Sequence, residues 1–455
     1  KLRKMKNIFN KRLLGSLIGV AMIASSCSDD LLNLEPVDSL SSNAVFVNQQ
    51  GANAAVLGMY GGLAGGNNLG FRMNVVGDIA SNDVSHTGSF NTWRDLDLKN
   101  WDAVNGEIGA IWASAYNSIN RANNIIAQVD GIDMAQALKD QYKGEALFVR
   151  ALNHFNLANY FGDVPIITTP TAAPIDDSYF VSRDPRASVY QRVLQSLTEA
   201  IGLLPLSYNT NNNTRHRATR GAAQALLARL YLYTGDYANA ETAATAVISN
   251  NTYALVPFEN QVASKGTTEA IFELFFDANN QNPVTFWYGR NNGGRFEFGA
   301  TESLWNSYQA GDLRRASSIR EEAPGVFVNW KYRDNTTGTD GVHILRLAEM
   351  YLIRAEARVR TSNFVGAAAD LQVIRRRAFG DQSLVVTIPT SIEAAIDVIL
   401  EERRREFAFE GHRWHDMVRT GRAVDEFGIP AFRTLMPIPL NARDVNPNLT
   451  QNPNY

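Results

Sequence analysis

The sequence has almost no cysteine and no excess of charge of either sign. Cys27 is the single cysteine among 455 residues, which excludes an internal disulfide within one chain. Lysine and arginine number 43 against 46 aspartate and glutamate residues, and the formal net charge is −3. Proteins that bind nucleic acid usually carry a basic excess, so this composition argues against a nucleic-acid partner.

Apolar runs long enough to cross a membrane are also missing. The stretch Leu13–Ala24 would extend about 18 Å as a helix, too short for a hydrocarbon core of about 30 Å. It follows a basic segment and leads through small residues to Cys27, which is the order of an export signal. We predict a signal peptide over residues 1–26, then a lipidated Cys27 and a polar tether over residues 27–40. The alternative is a plain signal peptide with an incidental cysteine, because Ala24 stands where lipoprotein signals usually have leucine.

Sequence motifs of catalysis are missing too. The chain has no GxSxG, no P-loop and no GxGxxG after a strand. His412 and His415 lie three residues apart beside carboxylates, but no third ligand follows at a spacing typical of metal sites. Nothing distinguishes a pair of carboxylates for glycoside hydrolysis. We therefore predict no enzyme, no cofactor and no metal site, and we interpret the two histidines as buried or capping residues.

Helical periodicity is the strongest pattern that the sequence does contain. Phe148, Leu152 and Phe155 fall at i, i+4 and i+7 in the segment Leu138–Tyr160, which predicts a helix with one apolar face. The glycine at position 162, with a proline shortly after it, predicts where this helix ends.

Two segments, Leu226–Ile248 and Leu352–Ile374, are similar to each other. When their turns are aligned, Asp236 coincides with Asn363 and an alanine follows at the same spacing in both. Each segment predicts a helix, a tight turn and a second helix, close to the turn of a tetratricopeptide repeat. Such pairs stack because no single pair can bury its own apolar face.

Long Gly- and Asn-rich stretches separate the helical segments. Loops of this length are uncommon in compact domains unless they have a function. Residues 252–333 show little helical pattern, and Ala270–Phe276 predicts a buried strand. We predict a mainly α fold of tetratricopeptide-like helix–turn–helix repeats with a loop-rich, partly β insertion at 252–340. The insertion would belong to a C-terminal half, 252–455, that follows an N-terminal half, 41–251.

Three separated blocks carry a resemblance to a known family. They are Glu145–Ala151 followed by Tyr160–Pro165 (YFGDVP), Glu401–Trp414 (EERRREFAFEGHRW) and the ending Met436–Tyr455. In this order they resemble the SusD/RagB family of outer-membrane nutrient-binding lipoproteins, although Asn454 stands where the family usually has glycine. The resemblance implies four helix–turn–helix repeats that support a ligand-binding half. It also implies a lipid-anchored location on the outside of the outer membrane and a SusC-like TonB-dependent transporter as partner.

Candidate ligand contacts lie in two loops where aromatic and polar residues cluster, Asn82–Arg94 and Phe286–Arg295. Sugars present flat C–H faces ringed by hydroxyls, so their sites need exposed aromatic planes beside polar groups. By their order in the chain, both loops correspond to family loops that bear the ligand site. The predicted stacking platforms are Trp93, Trp287 and Tyr288, and the predicted polar partners are Asn82, Asp83, Arg290 and Asn292.

A core position is the alternative for both tryptophans, and for Trp287 it would lie on a strand continuing from Phe276. Other aromatic residues are interpreted as structural. Trp112 and Tyr116, spaced i, i+4 in a helix predicted over Glu107–Val129, suit core packing. The aromatic residues of the segment LWNSYQAGDLRR suit a short packed helix.

The arginine-rich run after residue 400 is interpreted as a solvated helix face. Glu401 and Arg405 there are spaced i, i+4, which gives modest support to a helix.

These observations predict a non-catalytic lipoprotein that binds an oligosaccharide or polysaccharide and hands it to the transporter. An alternative within the same family is oligopeptide binding, in which backbone pairing would replace stacking. An alternative from another class is a surface-anchored glycosidase. The two aromatic loops favour sugar over peptide.

Overall fold

The structure is a computed structural model, and it describes residues 45–171, 179–209, 211–290 and 293–455. The predicted signal peptide, the tether and Cys27 lie outside the described residues, as does Asn292. The predicted division into two halves at residue 251 stays a prediction.

Helices make up most of the described chain, which confirms the predicted fold class. The helices before the insertion are α1 (Gln49–Ala64), α2 (Arg72–Ala80), α3 (Asn91–Asp97), α4 (Gly106–Gln128), α5 (Gln136–Phe161), α6 (Arg186–Leu203), α7 (Asn211–His216), α8 (Arg220–Thr234) and α9 (Tyr237–Ile248). The helices within the insertion are α10 (Phe258–Ala263), α11 (Pro283–Tyr288), α12 (Glu302–Ser307) and α13 (Arg314–Ser318), and those after it are α14 (Leu347–Arg360), α15 (Phe364–Phe379), α16 (Ile392–Glu406), α17 (His412–Arg419), α18 (Ala423–Phe427) and α19 (Leu440–Val445).

Helix α5 runs through the centre of the helical scaffold. Every residue from Gly144 to Phe161 is buried, because α4 packs on one side of this helix and α6 on another. The predicted helix over Leu138–Tyr160 is confirmed, and it ends at Gly162, where φ is +78°. Glycine adopts this left-handed region without the steric cost that a side chain would add. The long helix predicted over Glu107–Val129 is also present, as α4.

The two helical hairpins predicted from internal similarity are both present, as α8 with α9 and α14 with α15. Asp236 and Asn363, which coincide in the sequence alignment, each cap the second helix of their hairpin by accepting a backbone N–H. Ala240 and Ala367 are fully buried, where a small side chain lets two helices approach closely. Helix α9 packs against α14, so the two hairpins stack on each other.

Short strands form two small antiparallel sheets inside the loop-rich insertion and beside it. One sheet has the order β1 (Val84–His86), β3 (Phe298–Ala300), β5 (Val326–Asn329) and β4 (Ile319–Ala323), and the other pairs β2 (Ala270–Leu274) with β6 (Val342–Arg346). Every residue of β2 is buried, so the predicted buried strand is confirmed. The pairing of β1 with β3 matters for function, because it joins segments about 200 positions apart in the chain.

The arginine-rich run of α16 is largely buried, so the prediction of a solvated helix face is wrong. Glu402 and Glu406 are fully buried, and Arg403 is 1% exposed. The predicted Glu401–Arg405 pair is present at 3.3 Å, with the Glu401 side chain 40% exposed. Only the position of Glu401 matches the prediction of a solvated helix face.

The buried acids of α16 are neutralised by cations from distant segments. Arg314 lies 2.8 Å from Glu402 and 3.0 Å from Glu406. Arg346 pairs with Glu406, and it lies 3.0 Å from Glu269 and 2.9 Å from Glu410. The Lys331 ammonium lies 2.7 Å from Glu410. We call this set the charged core: Glu269, Arg314, Lys331, Arg346, Glu402, Glu406 and Glu410.

Within the described residues, no helix is both long enough and apolar enough to pass through a bilayer.

Candidate functional site

The two loops predicted to hold the ligand are brought together by the pairing of β1 with β3. His86 lies opposite Phe298 in this ladder, and the Thr87 N–H continues it by donating to the Glu297 carbonyl at 2.9 Å. On the other side, the Arg295 and Glu297 N–H groups donate to the carbonyls of Phe286 and Trp287 at 2.8 and 2.9 Å. The two loops therefore lie side by side, and their role as a ligand site stays a prediction.

The Glu297 carboxylate holds the first loop against the second. It accepts N–H groups from Ser89 at 3.0 Å and Phe90 at 2.9 Å, and it lies 2.9 Å from the His86 imidazole. A Cβ on Gly88 would stand 2.1 to 2.4 Å from its carboxyl atoms, so a side chain at this position would displace the carboxylate. Burial raises the pKa of Glu297, but the N–H of Phe90 and the His86 imidazole outweigh it and lower the pKa below its ordinary value.

Aromatic side chains from both loops meet at the surface above Glu297. Phe90 is 41% exposed and Phe286 is 47% exposed, and each ring contacts Trp287 edge to face, at 5.8 and 5.6 Å between centroids. The Arg295 guanidinium lies 4.3 Å from the centre of the Phe90 ring and 5.6 Å from that of Trp287. We call Phe90, Phe286, Trp287 and Arg295 the aromatic patch.

Trp287 is anchored from below and is partly buried. Its ring stacks on the buried Phe71 at 5.4 Å and 12°, and it belongs to the helix α11 rather than to a strand continuing from Phe276. Asn282 caps this helix and Pro283 begins it, an arrangement that suits a helix start because proline lacks the N–H that would be unpaired there. Trp287 thus joins the hydrophobic core to the exposed patch.

Trp93 and Tyr288 are core residues, so the prediction that they are exposed stacking platforms is wrong. Trp93 is 2% exposed and Tyr288 is 1% exposed. Both rings contact the buried Phe298, at 4.9 Å for Trp93 and 5.4 Å for Tyr288. The short helix α3 places Trp93 and Leu96 on its buried face. Neither this helix nor the pairing of β1 with β3 was predicted.

Asp83 is also buried, which corrects its prediction as a polar ligand contact. It is 3% exposed and accepts a hydrogen bond from Arg404 at 2.7 Å. Burial raises the pKa of Asp83, although the nearby Arg404 and Arg413 oppose this shift. Its role is to join the start of β1 to α16.

The remaining predicted polar contacts lie at the surface. Asn82 is exposed, adopts a φ of +63° and accepts a hydrogen bond from the Lys99 ammonium. Arg290 is 40% exposed, 3.7 Å from Glu322 and 5.4 Å from the centre of the Phe296 ring. Their contact with ligand stays a prediction, as does that of Asn292, which lies outside the described residues.

Three residues of the site were not predicted as ligand contacts: Phe90, Phe286 and Arg295. All three stand in the polar loops already singled out. The sequence contains one signal for Phe286. Asn282 and Pro283 mark the start of a short helix, and Phe286 lies in that helix directly before Trp287. No sequence pattern places Arg295 over the ring of Phe90, because their contact depends on the β1–β3 pairing.

His412 and His415 lie inside the fold, where they line a polar cavity of about 40 Å³ together with Tyr160 and Glu410. Burial lowers the pKa of His415 to about 3 and that of His412 well below its ordinary value. Both imidazoles are therefore neutral at pH 7. In the described part of the chain, no group of three or more His, Cys, Asp or Glu residues is placed to hold a metal ion.

Comparison with protein families gives two matches along the chain. Residues 32–232 match a SusD-like family described as starch-binding and associating with the outer membrane. Residues 324–455 match the SusD family, also called the SusD/RagB family. Together the two matches account for well over half of the sequence.

Two relatives match over most of the chain, and a third matches over a quarter of it. SusD-like protein P2 of Formosa agariphila is 27% identical, with 88% of this chain and 89% of the relative covered. A SusD-like protein of Bacteroides ovatus is 22% identical, with 90% and 83% covered. The starch-binding protein SusD of Bacteroides thetaiotaomicron is 30% identical over 25% of this chain and 21% of its own length.

Solved structures share the fold. A laminarin-binding SusD-like protein superposes with a TM-score of 0.79 at 24% identity, covering 90% of this chain and 100% of its own. A SusD superfamily protein from Bacteroides thetaiotaomicron superposes with a TM-score of 0.77 at 26% identity, again covering 90% and 100%.

Proposed function

This chain belongs to the SusD/RagB family, and on that premise we propose that it binds glycans at a cell surface without cleaving them. The family is one of binding proteins associated with the outer membrane. The further proposal is that the chain passes its ligand to a SusC-like TonB-dependent transporter and is held at the membrane through lipid on Cys27.

The aromatic patch is the observation that carries the proposal. Phe90 and Phe286 are both more than two-fifths exposed, and they lie side by side around Trp287. An aromatic face accepts the C–H face of a sugar ring, and the neighbouring guanidinium of Arg295 supplies N–H donors for hydroxyl groups. The side chain of Arg295 is 37% exposed, so its outward donors are within reach of a ligand.

The patch is preorganised for binding. Glu297 is 1% exposed and lies 3.1 Å from Arg295, while also receiving the loop N–H groups of Ser89 and Phe90. Trp287 is fixed by its stack on Phe71. A ligand therefore meets side chains that are already held in place, which lowers the entropy lost on binding.

Glycan binding is tested by calorimetry with laminarin and with starch-derived oligosaccharides. Truncation of Phe286 or Phe90 to alanine should remove a central contact worth about 2 kcal/mol, a loss of roughly thirtyfold in affinity. Leu206→Ala is the matched control, because Leu206 is 57% exposed and lies outside the patch. Unchanged affinity in both phenylalanine variants, or failure of every glycan to bind, would contradict the proposal.

Absence of catalysis is tested in the same samples. Glycan incubated with the protein should keep its chain length, measured as the concentration of reducing ends over time. Release of reducing ends in proportion to protein concentration would favour the glycosidase alternative.

The anchor is tested by changing Cys27 to serine in the exporting organism. We expect the Cys27→Ser protein to leave the membrane fraction, because a lipidated cysteine would be its attachment. The unchanged protein should remain in that fraction after a high-salt wash. Retention of both forms would show that Cys27 is not the anchor.

A further inference from the structure

A groove between α1 and the segment after β2 has no part in the proposed function. Its volume is about 520 Å³, within the range of roughly 300–1,000 Å³ that holds small ligands. The residues that line it and carry the argument are Asn53, Leu57, Gly61, His216, Phe275 and Asn280.

Phe275 gives the groove an exposed aromatic wall. It is 45% exposed, although its neighbours Leu274 and Phe276 are 3% and 0% exposed, because successive residues of an extended segment point to opposite sides. The His216 ring lies 5.0 Å from the Phe275 ring, and the Lys265 ammonium lies 5.5 Å from its centre. These neighbours fix the orientation of a ring that contributes little to the core.

Polar groups beside this wall can bond to hydroxyl groups. Asn53 accepts a hydrogen bond from Tyr142 at 3.1 Å through its side-chain oxygen, so its side-chain NH₂ donors are the part left for a ligand. Asn280 stands in a turn fixed by Asp277, whose side chain accepts the Asn280 N–H at 2.9 Å. A side-chain amide offers both donors and an acceptor, which suits a sugar hydroxyl.

The charge at the floor of the groove is balanced. Arg217 also lines it, but its guanidinium donates to the fully buried Glu145 at 2.9 and 2.7 Å. The His216 imidazole lies 3.8 Å from the buried Glu273. With the Arg217 charge paired inside the protein, the groove favours an uncharged ligand.

Gly61 leaves the backbone of α1 without a side chain where it faces the groove. Glycine in a helix interior is less stable than alanine, and α1 contains Gly58 and Gly61 on its exposed side. At neither position would a Cβ meet any atom within 4 Å, so the fold itself does not require glycine at either. Gly61 lines the groove and Gly58 does not.

We propose that this groove is a second saccharide-binding site, which takes one or two neutral sugar units against Phe275 and close to the backbone of Gly61. The proposal goes beyond the proposed function, because none of the residues that line the groove belongs to the aromatic patch.

The experiment measures binding of maltose, cellobiose and laminaribiose by calorimetry and by NMR, at concentrations well above millimolar. A Phe286→Ala background weakens binding at the aromatic patch by roughly thirtyfold. We expect at least one disaccharide to bind this background, and Phe275→Ala to abolish that binding. Phe275 is exposed, so the variant should keep its melting temperature.

Two glycine variants separate a ligand contact from a structural effect. Gly61→Ala should raise the melting temperature and lower the affinity by about tenfold, since its methyl group would enter the groove. Gly58→Ala should raise the melting temperature and leave the affinity unchanged. The proposal is overturned if no disaccharide binds the Phe286→Ala background, or if the two glycine variants bind equally well. In either case polysaccharide binding at the aromatic patch can still hold, because it is measured in the unchanged protein.

Discussion

The charged core and the aromatic patch are built on opposite principles. In the charged core, seven ionisable side chains of the described chain lie at most 7% exposed, and each has an opposite charge within about hydrogen-bond distance. In the aromatic patch, Phe90 and Phe286 remain more than 40% exposed, and the ring of each contacts Trp287. One region satisfies its polar groups internally, and the other leaves apolar surface uncovered.

This difference separates the residues that hold the fold from those that are free to bind. Burying a charge costs several kcal/mol unless it is paired, so the charged core stabilises the fold only as a complete set. Exposed aromatic surface does not stabilise the fold, because it stays in contact with water. It contributes favourable free energy of binding when a ligand covers it. Changes in the charged core should therefore act on stability, and changes in the patch should act on affinity.

The largest effect is expected from Arg346→Met. This change would leave Glu269, Glu406 and Glu410 without one of their partners, and breaking such a buried set costs about 3–5 kcal/mol of unfolding free energy. Chemical denaturation measures the loss. The matched control is Arg422→Met, because Arg422 pairs with Asp397 at 2.8 Å on the surface, at 28% and 63% exposure, where such pairs contribute roughly 0–1 kcal/mol. Equal losses in the two variants would contradict the assignment.

Trp93→Ala compares a buried residue of the site with the exposed residues of the aromatic patch. Trp93 packs edge to face on Phe298 at 4.9 Å and is 2% exposed, so its truncation should cost about 3–5 kcal/mol of stability. Phe286→Ala should leave the melting temperature nearly unchanged and reduce affinity. If Trp93→Ala keeps its stability and loses binding, Trp93 belongs to the patch after all.

Acid should weaken the fold in two stages. Burial lowers the pKa of His415 to about 3, whereas an unfolded histidine titrates near 6.5, so the stability contributed by its neutral form is lost as the pH falls below about 6.5. Burial raises the pKa of Glu410, but Arg346 and Lys331 outweigh it and lower the pKa to about 2. The contribution of Glu410 is therefore complete above about pH 4.5 and is lost as the pH falls toward 2.

Urea midpoints measured from pH 7 to pH 3 show both stages. His415→Gln should remove its share of the first stage and leave the share of His412, whose pKa is also lowered by burial. A midpoint that is constant from pH 7 to pH 5 would contradict the first stage.

Gly88→Ala is expected to have a smaller effect on both properties. Its methyl group would overlap the carboxylate of Glu297 and displace the loop that carries Phe90. Overpacking of this kind costs about 1–3 kcal/mol, and affinity should fall with it. Gly202→Ala is the control, since no atom lies within 4 Å of the added Cβ. A Gly88→Ala protein that binds and unfolds like the unchanged protein would show that Glu297 does not hold the loop.

Much of the helical scaffold could be predicted because its signals are local. Phe148, Leu152 and Phe155 mark one face of α5 by spacing alone, and all three are buried. Asp236 and Asn363 could be aligned because each capped helix begins at the same point of a similar hairpin.

The sequence indicated which two loops form the candidate site, but it did not show which residues of those loops are exposed and which are buried. Trp93 and Phe90 are three residues apart, yet the first is buried and the second exposed, because Phe71 and Phe298 pack against the ring of Trp93. The acids of α16 were misplaced for the same reason, since their partners Arg314 and Arg346 lie far away in the sequence. Burial in both regions depends on tertiary contacts that no local pattern records.

The most direct test of the central claim is a crystal structure of the protein with the glycan that binds it most tightly. We expect a sugar ring within van der Waals contact of Phe90 or Phe286, and a hydroxyl group within hydrogen-bond distance of the Arg295 guanidinium. A glycan bound only at other surfaces, with the aromatic patch left uncovered, would contradict the account.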